Sequence, residues 1–221
     1  MSNTFDNNKQ DFRKITNKKI KKNINYGDLI ILKINIEYPQ ISEPQTKQEK
    51  AINSFYQALS NNYANYCENK QSKKITKYVI NNNDFRPYGE IFKYFITLNN
   101  DRYFSVLTEI THFDGYFSKT QRYSHVWDIQ KGIMLPCEYF LTKLKKNVKT
   151  VRYEIAQMIL ERVKNGAGEF SYTEKRIKKY AFNCNPYNYF LTENGIAFWF
   201  EKGTIAPESE GYPTFVIKCD I

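Results

Sequence analysis

The sequence predicts an α+β fold in which an antiparallel sheet is packed by two main amphipathic helices. Three observations carry this expectation. Residues 88–135 hold strand-length runs separated by tight turns, which pairs neighbouring strands antiparallel and does not build βαβ units. Two stretches, after Thr46 and after Val148, repeat apolar residues at helical spacing. Hydrophobic residues make up 41% of the 221, and 16% are aromatic, which is enough to bury a core and excludes a wholly disordered chain.

Taken in order, residues 1–26 read as a flexible basic leader, with Lys9, Arg13, Lys14, Lys18, Lys19, Lys21 and Lys22 set against Asp6 and Asp11. The rest, 27–221, reads as one α+β domain with an N-terminal subregion over 27–84 and a main part over 85–221. Leu29 to Tyr38 is a β-rich run closed by Pro39 and Pro44. Thr46 and Glu49 form a capping box, since each side chain can satisfy an orphan N–H at a helix start. Behind it Ile52, Phe55, Tyr56, Leu59, Tyr63 and Tyr66 share one helical face. Strands follow over Ile91–Leu98, Tyr103–Phe113 and Arg122–Ile129, joined at Asn99-Asn100-Asp101 and at the tight-turn pair Asp114-Gly115. Val148, Val151, Ile155, Ile159 and Val163 stripe a second helix that Gly166 and Gly168 stop. Ser171 and Glu174 open a short basic helix through Lys179. The chain closes with Tyr187–Leu191, an Asn194-Gly195 hairpin turn, Ile196–Phe200 and Phe215–Ile217.

The net charge of +10 invites a polyanion partner, but half of that excess lies in the leader. Abundant Lys, Asn, Ile and Tyr also match an A/T-rich coding bias. Nucleic-acid binding through the leader and the Lys175–Lys179 segment therefore ranks last among the alternatives. The four cysteines, Cys67, Cys137, Cys184 and Cys219, form no Cys-x-x-Cys pair and no zinc spacing, so reduced, mostly buried thiols are expected. An exported chain would instead allow two disulfides in three connectivities. No run approaches the ~18 apolar residues of a membrane span. The first 25 residues lack the apolar centre of a signal peptide, which by itself predicts a cytoplasmic protein.

Catalytic patterns do not appear. Only two histidines exist. His112 and His125 would lie near each other if their strands pair across Asp114-Gly115, and a metal site would then need Glu109 or Asp128. Those carboxylates alternate to the opposite face from their neighbouring histidine, so both histidines rank as weak metal candidates. Ser124-His125 is no catalytic pair, and no glycine pattern forms a nucleophile elbow or a phosphate loop. No enzyme and no cofactor are expected.

Three segments nevertheless resemble a known family. Tyr189-Phe190-Leu191-Thr192-Glu193-Asn194-Gly195-Ile196-Ala197-Phe198-Trp199-Phe200, followed by Ile205-Ala206-Pro207 and Gly211, is similar to the end of the RsiV-like domain. Tyr123 to Leu135 resembles its strand ending in Trp-Asp-hydrophobic-x-x-Gly, with a short helix after it. Ile36 to Ile41, with Ile52-Asn53 opening the long helix, is similar to the companion N-terminal domain. In order, these cover about residues 28–221. The family's frequent Gly-Gly-Ala-His-Gly turn is replaced here by Asp114-Gly115-Tyr116-Phe117-Ser118.

The resemblance implies an α+β sensor module of the kind found on lysozyme-responsive anti-sigma factors and beside some polysaccharide deacetylases, and it suggests the cell envelope. The expected function is non-catalytic binding of a lysozyme-like protein or a cell-wall glycan such as a peptidoglycan fragment. Tyr116, Phe117 and Trp199, as outward aromatics, are the expected ligand anchors. The alternative is an envelope-linked hydrolase or deacetylase accessory using the histidines with Glu109 or Asp128.

Overall fold

The computed structural model describes residues 13–81, 85–164 and 184–221. Among the described residues nine strands form a six-stranded sheet in the order β1-β2-β3-β4-β5-β6 and a three-stranded sheet β7-β8-β9. The first contains β1 (Ile15–Tyr26), β2 (Leu29–Ile41), β3 (Tyr88–Asn99), β4 (Tyr103–Phe113), β5 (Ser118–Asp128) and β6 (Ile133–Met134). The second contains β7 (Tyr189–Thr192), β8 (Gly195–Trp199) and β9 (Thr214–Lys218). Helix α1 (Lys47–Tyr66) runs through a π-helical turn at Cys67–Gln71 into α2 (Ser72–Ile80); α3 is Cys137–Lys143 and α4 is Val148–Lys164. No helix among the described residues is long and apolar enough to cross a membrane.

The expected leader is corrected in its second half. Residues 15–26 form β1, paired antiparallel with β2 from Ile15↔Ile41 to Tyr26↔Leu29. Ile20 and Ile24 pack on the core beneath α1 and α2, while the lysines between them stay in water. Arg13 carries the docking further, donating from Nε to Glu49 at 2.9 Å and from Nη1 to the Asn100 carbonyl at 2.6 Å. Residues 1–12 lie outside the described residues, as do the expected second capping box at Ser171 and Glu174 and the glycines at 166 and 168.

The capping box at Thr46 and Glu49 is formed in both directions. Its carboxylate also accepts from the Gln45 amide at 2.8 Å. Burial pushes the Glu49 carboxyl up, but the Gln45 amide, Arg13 and the Thr46 amide outweigh it and hold the group below its ordinary value. From there α1 lays Ile52 and Tyr56, both essentially buried, against Phe104, Val106 and Trp127 of the sheet. Trp127 donates its indole N–H to the Tyr56 hydroxyl at 3.1 Å.

Pairing is antiparallel throughout except β2 with β3, which run parallel from Leu32↔Tyr88 to Ile36↔Phe92. The cause is the connection: α1 and α2 lie between these strands and return the chain to the same end of the sheet.

On the opposite face, β7 lies against β3, β4 and β5. Two serines of the large sheet hold its main chain. Ser105 Oγ accepts from the Leu191 amide at 3.0 Å, and Ser124 Oγ donates to the Tyr189 carbonyl. Ile196, Phe198, Phe215 and Ile217 then meet Val151, Ile155 and Ile159 of α4 in the largest apolar cluster. The β7–β8 hairpin turns at Gly195, where φ is +133° and an added Cβ would sit 2.1 Å from the Ile217 carbonyl oxygen. No L side chain fits there.

Candidate functional site

The face of the large sheet that carries α1 is only partly covered. Between the C-terminal half of α1, the π-helical turn and the far ends of β3–β5 lies a groove of about 570 Å³. Its floor is Glu90, 1% exposed, on β3. The β3–β4 register sets His112 directly opposite Glu90, and the π-helical turn delivers Gln71 from above. Gln71 Nε2 and His112 Nδ1 both converge on Glu90 Oε1, while the Tyr63 hydroxyl donates to Oε2. Gln71 Nε2 and His112 Nδ1 are themselves 3.0 Å apart.

One buried carboxylate thus gathers three polar side chains and fixes their rotamers. With Nδ1 directed at the carboxylate, the His112 ring lines the groove, its side chain 42% exposed. Gln71 Oε1 is buried and has no hydrogen-bond partner among the described residues. Burial first, and Glu90 second, push the Tyr63 phenol far up and the Cys67 thiol up to about 12, so both stay protonated. The rim is aromatic. Tyr66 stacks on Tyr63 at a 24° interplanar angle, and Tyr66 and Tyr123 are each 46% exposed. Lys119 and Gln121 of β5 complete the wall.

The two histidines are not brought together. In the β4–β5 ladder His112 faces Lys119, whereas His125 faces Val106. Both lie on the α1 face but six residues apart along the strand, about 20 Å. His125 instead sits edge-on to Phe55 and Tyr56, with ring centroids at 5.1 and 5.9 Å. Glu109 is on the other face in an ion pair with Arg122, and Asp128 is buried, accepting from the Lys131 amide at 3.0 Å. Among the described residues no three His, Cys, Asp or Glu side chains cluster to hold a metal.

The expected anchors divide. Tyr116 and Phe117 stand at the tip of the β4–β5 hairpin, 46% and 78% exposed. Asp114 accepts from both their amides, at 3.0 and 2.8 Å, and Arg86 lies 4.8 Å over the Tyr116 ring. Trp199 is corrected: it is 1% exposed. As part of the middle strand of its sheet it is covered on both sides, packing with Phe190 and Ala197 against Leu107 of β4. Arg122 lies between its ring, at 6.0 Å, and that of Tyr212, at 3.8 Å.

A second cleft, of about 290 Å³, lies beside α3 and the β3–β4 turn. Its polar groups satisfy one another: Lys143 donates to the Tyr103 hydroxyl at 3.0 Å, and Arg102 to that of Tyr139 at 3.2 Å. The groove over Glu90 is the better candidate because its polar groups are aligned beneath exposed tyrosine rings.

Fold and groove together define an α+β module with an aromatic-rimmed polar groove. Residues 141–220 match the model of a family described as a protein of unknown function, DUF3298. No curated protein matches the chain. Among solved structures, a DUF3298 family member from Bacteroides fragilis is similar at a TM-score of 0.63 and 13% identity, over 95% of this chain and 92% of that one. A DUF3298 family protein from Pseudomonas aeruginosa is similar at 0.59 and 11% identity, over 94% and 92%. These likenesses extend the shared fold across nearly the whole chain.

Proposed function

We propose that this chain is a non-catalytic recognition module whose groove takes a segment of cell-wall glycan. The observation that carries the reading is the groove's make-up: a buried carboxylate locks Gln71 and His112 in place beneath exposed tyrosine rings. A sugar ring offers an apolar face for such rings and hydroxyls for polar side chains of the groove wall, Lys119 and Gln121 among them. Among the described residues Glu90 is the one carboxylate lining the groove, and both its oxygens already accept hydrogen bonds. Glycoside hydrolysis ordinarily needs two carboxylates flanking the bond. The arrangement favours holding over cleaving. One of the three segments similar to the RsiV-like domain, Tyr189–Gly211, falls within the family-matched residues 141–220, which supports a sensor-type role and a place at the cell envelope.

Calorimetric titration with a soluble peptidoglycan fragment tests this. Saturable binding is expected, and Tyr66→Ala or Tyr123→Ala each weaken it about tenfold, the worth of a lost aromatic contact. The glycan is recovered unchanged. No heat, or release of acetate or shortened glycan, ends the reading.

A second reading has its own observation. Phe117 is the most exposed large apolar side chain of the described residues and sits beside Tyr116. Such a pair suits a protein partner such as lysozyme. Phe117→Ser would then abolish lysozyme capture while leaving glycan binding unchanged.

A further inference from the structure

The groove over Glu90 has no negative charge to offer a ligand. Both Glu90 oxygens accept, one from the Tyr63 hydroxyl and one from Gln71 and His112, and the residue is 1% exposed. The outer wall is differently equipped. The β4–β5 register sets Lys119 directly opposite His112, so Glu90, His112 and Lys119 form a row across three strands, from the buried floor to an exposed wall. Alternation puts Gln121 and Tyr123 on the same side as Lys119, and the three span about 13 Å along β5. Among the described residues β6 pairs only with Trp127 and Asp128, so no strand lies beyond this part of β5.

This wall holds donors that meet no acceptor. Among the described residues no carboxylate lies within ion-pair distance of Lys119. Asp114, in the same hairpin, turns Oδ1 to the amides of Tyr116 and Phe117. Gln121 Oε1 accepts from the Tyr123 hydroxyl at 3.3 Å, which leaves the N–H groups of Nε2 as donors. An ammonium and an amide NH2 therefore line a groove whose carboxylate is buried and fully engaged. A neutral sugar leaves the ammonium unmatched, and a cationic one is repelled by it. A carboxylate brings acceptors only, carries one negative charge against one ammonium, and makes charge-assisted hydrogen bonds. We propose, on the reading of this groove as a glycan site, that its ligand is an acidic glycan: Lys119 and Gln121 hold a carboxylate while Tyr66 and Tyr123 cover ring faces.

The test is calorimetric titration of the full chain with a peptide-free oligosaccharide of N-acetylglucosamine and N-acetylmuramic acid, and with the same oligosaccharide after methyl esterification of its carboxyl groups. The acid form should bind about tenfold more tightly than the ester, the worth of a charge-assisted hydrogen bond, and the difference should shrink as salt rises. Lys119→Gln should bring affinity for the acid down to that for the ester. Its affinity for the ester should match the parent's, which also shows that the variant is folded. Lys119→Arg should keep the preference. So should Lys33→Gln, the same charge change on the far face of the sheet, where Leu32 and Ile34 turn inward. A peptide-bearing fragment has its lactyl carboxyl tied in an amide; weaker binding than the bare acid assigns the carboxylate to the sugar, and equal binding shows that a stem carboxylate serves Lys119 as well. Equal affinity of the parent for acid and ester overturns the proposal and leaves the recognition reading standing, as does a Lys119→Gln variant that keeps the preference. Failure of both forms to bind overturns the two together.

Discussion

Arg13 and Glu49, 36 residues apart in the chain, meet at 2.9 Å where β1 begins and α1 starts. The pair joins three elements, because the same guanidinium also reaches the Asn100 carbonyl in the β3–β4 turn. Arg13→Ala leaves a largely buried carboxylate with one partner fewer and should cost about 2–3 kcal/mol in denaturant unfolding. Glu49 has a lowered carboxyl in the folded state, so this contribution is present above its unfolded value near 4.5 and is lost as pH falls through the lower folded value. A variant as stable as the parent at pH 7 would show that the clip holds nothing.

His125 gives the fold a second acid sensitivity. Burial among Phe55 and Tyr56 pulls its imidazole from 6.5 down to about 4, and Nδ1 has no partner. The unfolded chain therefore binds a proton that the folded one refuses. The stabilisation is whole above pH 6.5 and is lost as pH falls towards 4, by up to about 3 kcal/mol. His125→Phe should be less sensitive than the parent over that window. Parallel stability curves for the two proteins would refute the assignment.

Position 195 should be intolerant. Gly195→Ala places a Cβ in the Ile217 carbonyl oxygen and should abolish soluble folding or cost more than about 3 kcal/mol. Gly203→Ala, at φ +72° with nothing within 4 Å, should cost only about 1 kcal/mol. Similar melting temperatures for the two variants would contradict the close approach.

The cysteines should report unfolding. Cys67, Cys137 and Cys184 are buried, and burial pushes each thiol up to about 12. Cys219, only partly buried, should label first with a thiol reagent in the native protein, the other three only in denaturant. Rapid labelling of all four without denaturant would show the core to be looser than described.

What the sequence discloses follows from how local each cause is. The Thr46–Glu49 capping box and the strand Tyr103–Phe113 are written in short patterns and occur as read. The strand β1 is hidden because an edge strand with one wet face carries lysines where a buried strand carries valine or isoleucine. The candidate site was half legible. A hairpin pairs residues equidistant from its turn, so His112, close to Asp114-Gly115, cannot meet His125, ten residues beyond it. The partner that His112 does have, Glu90, comes from the β3–β4 register, and Gln71 comes from a π-helical turn that no local pattern announces. Trp199 looked outward because strict alternation assumes one wet face, whereas β8 has none.

The serine bonds to β7 reach beyond docking. Ser105 and Ser124 grip the adjacent peptide groups on either side of Phe190, so the small sheet is indexed to the large one by its backbone and not by the shape of its side chains alone. A slip of one residue would point Leu191 and Tyr189 the wrong way and strand both hydroxyls at once. The chain can therefore vary the apolar residues between its two layers while keeping their alignment.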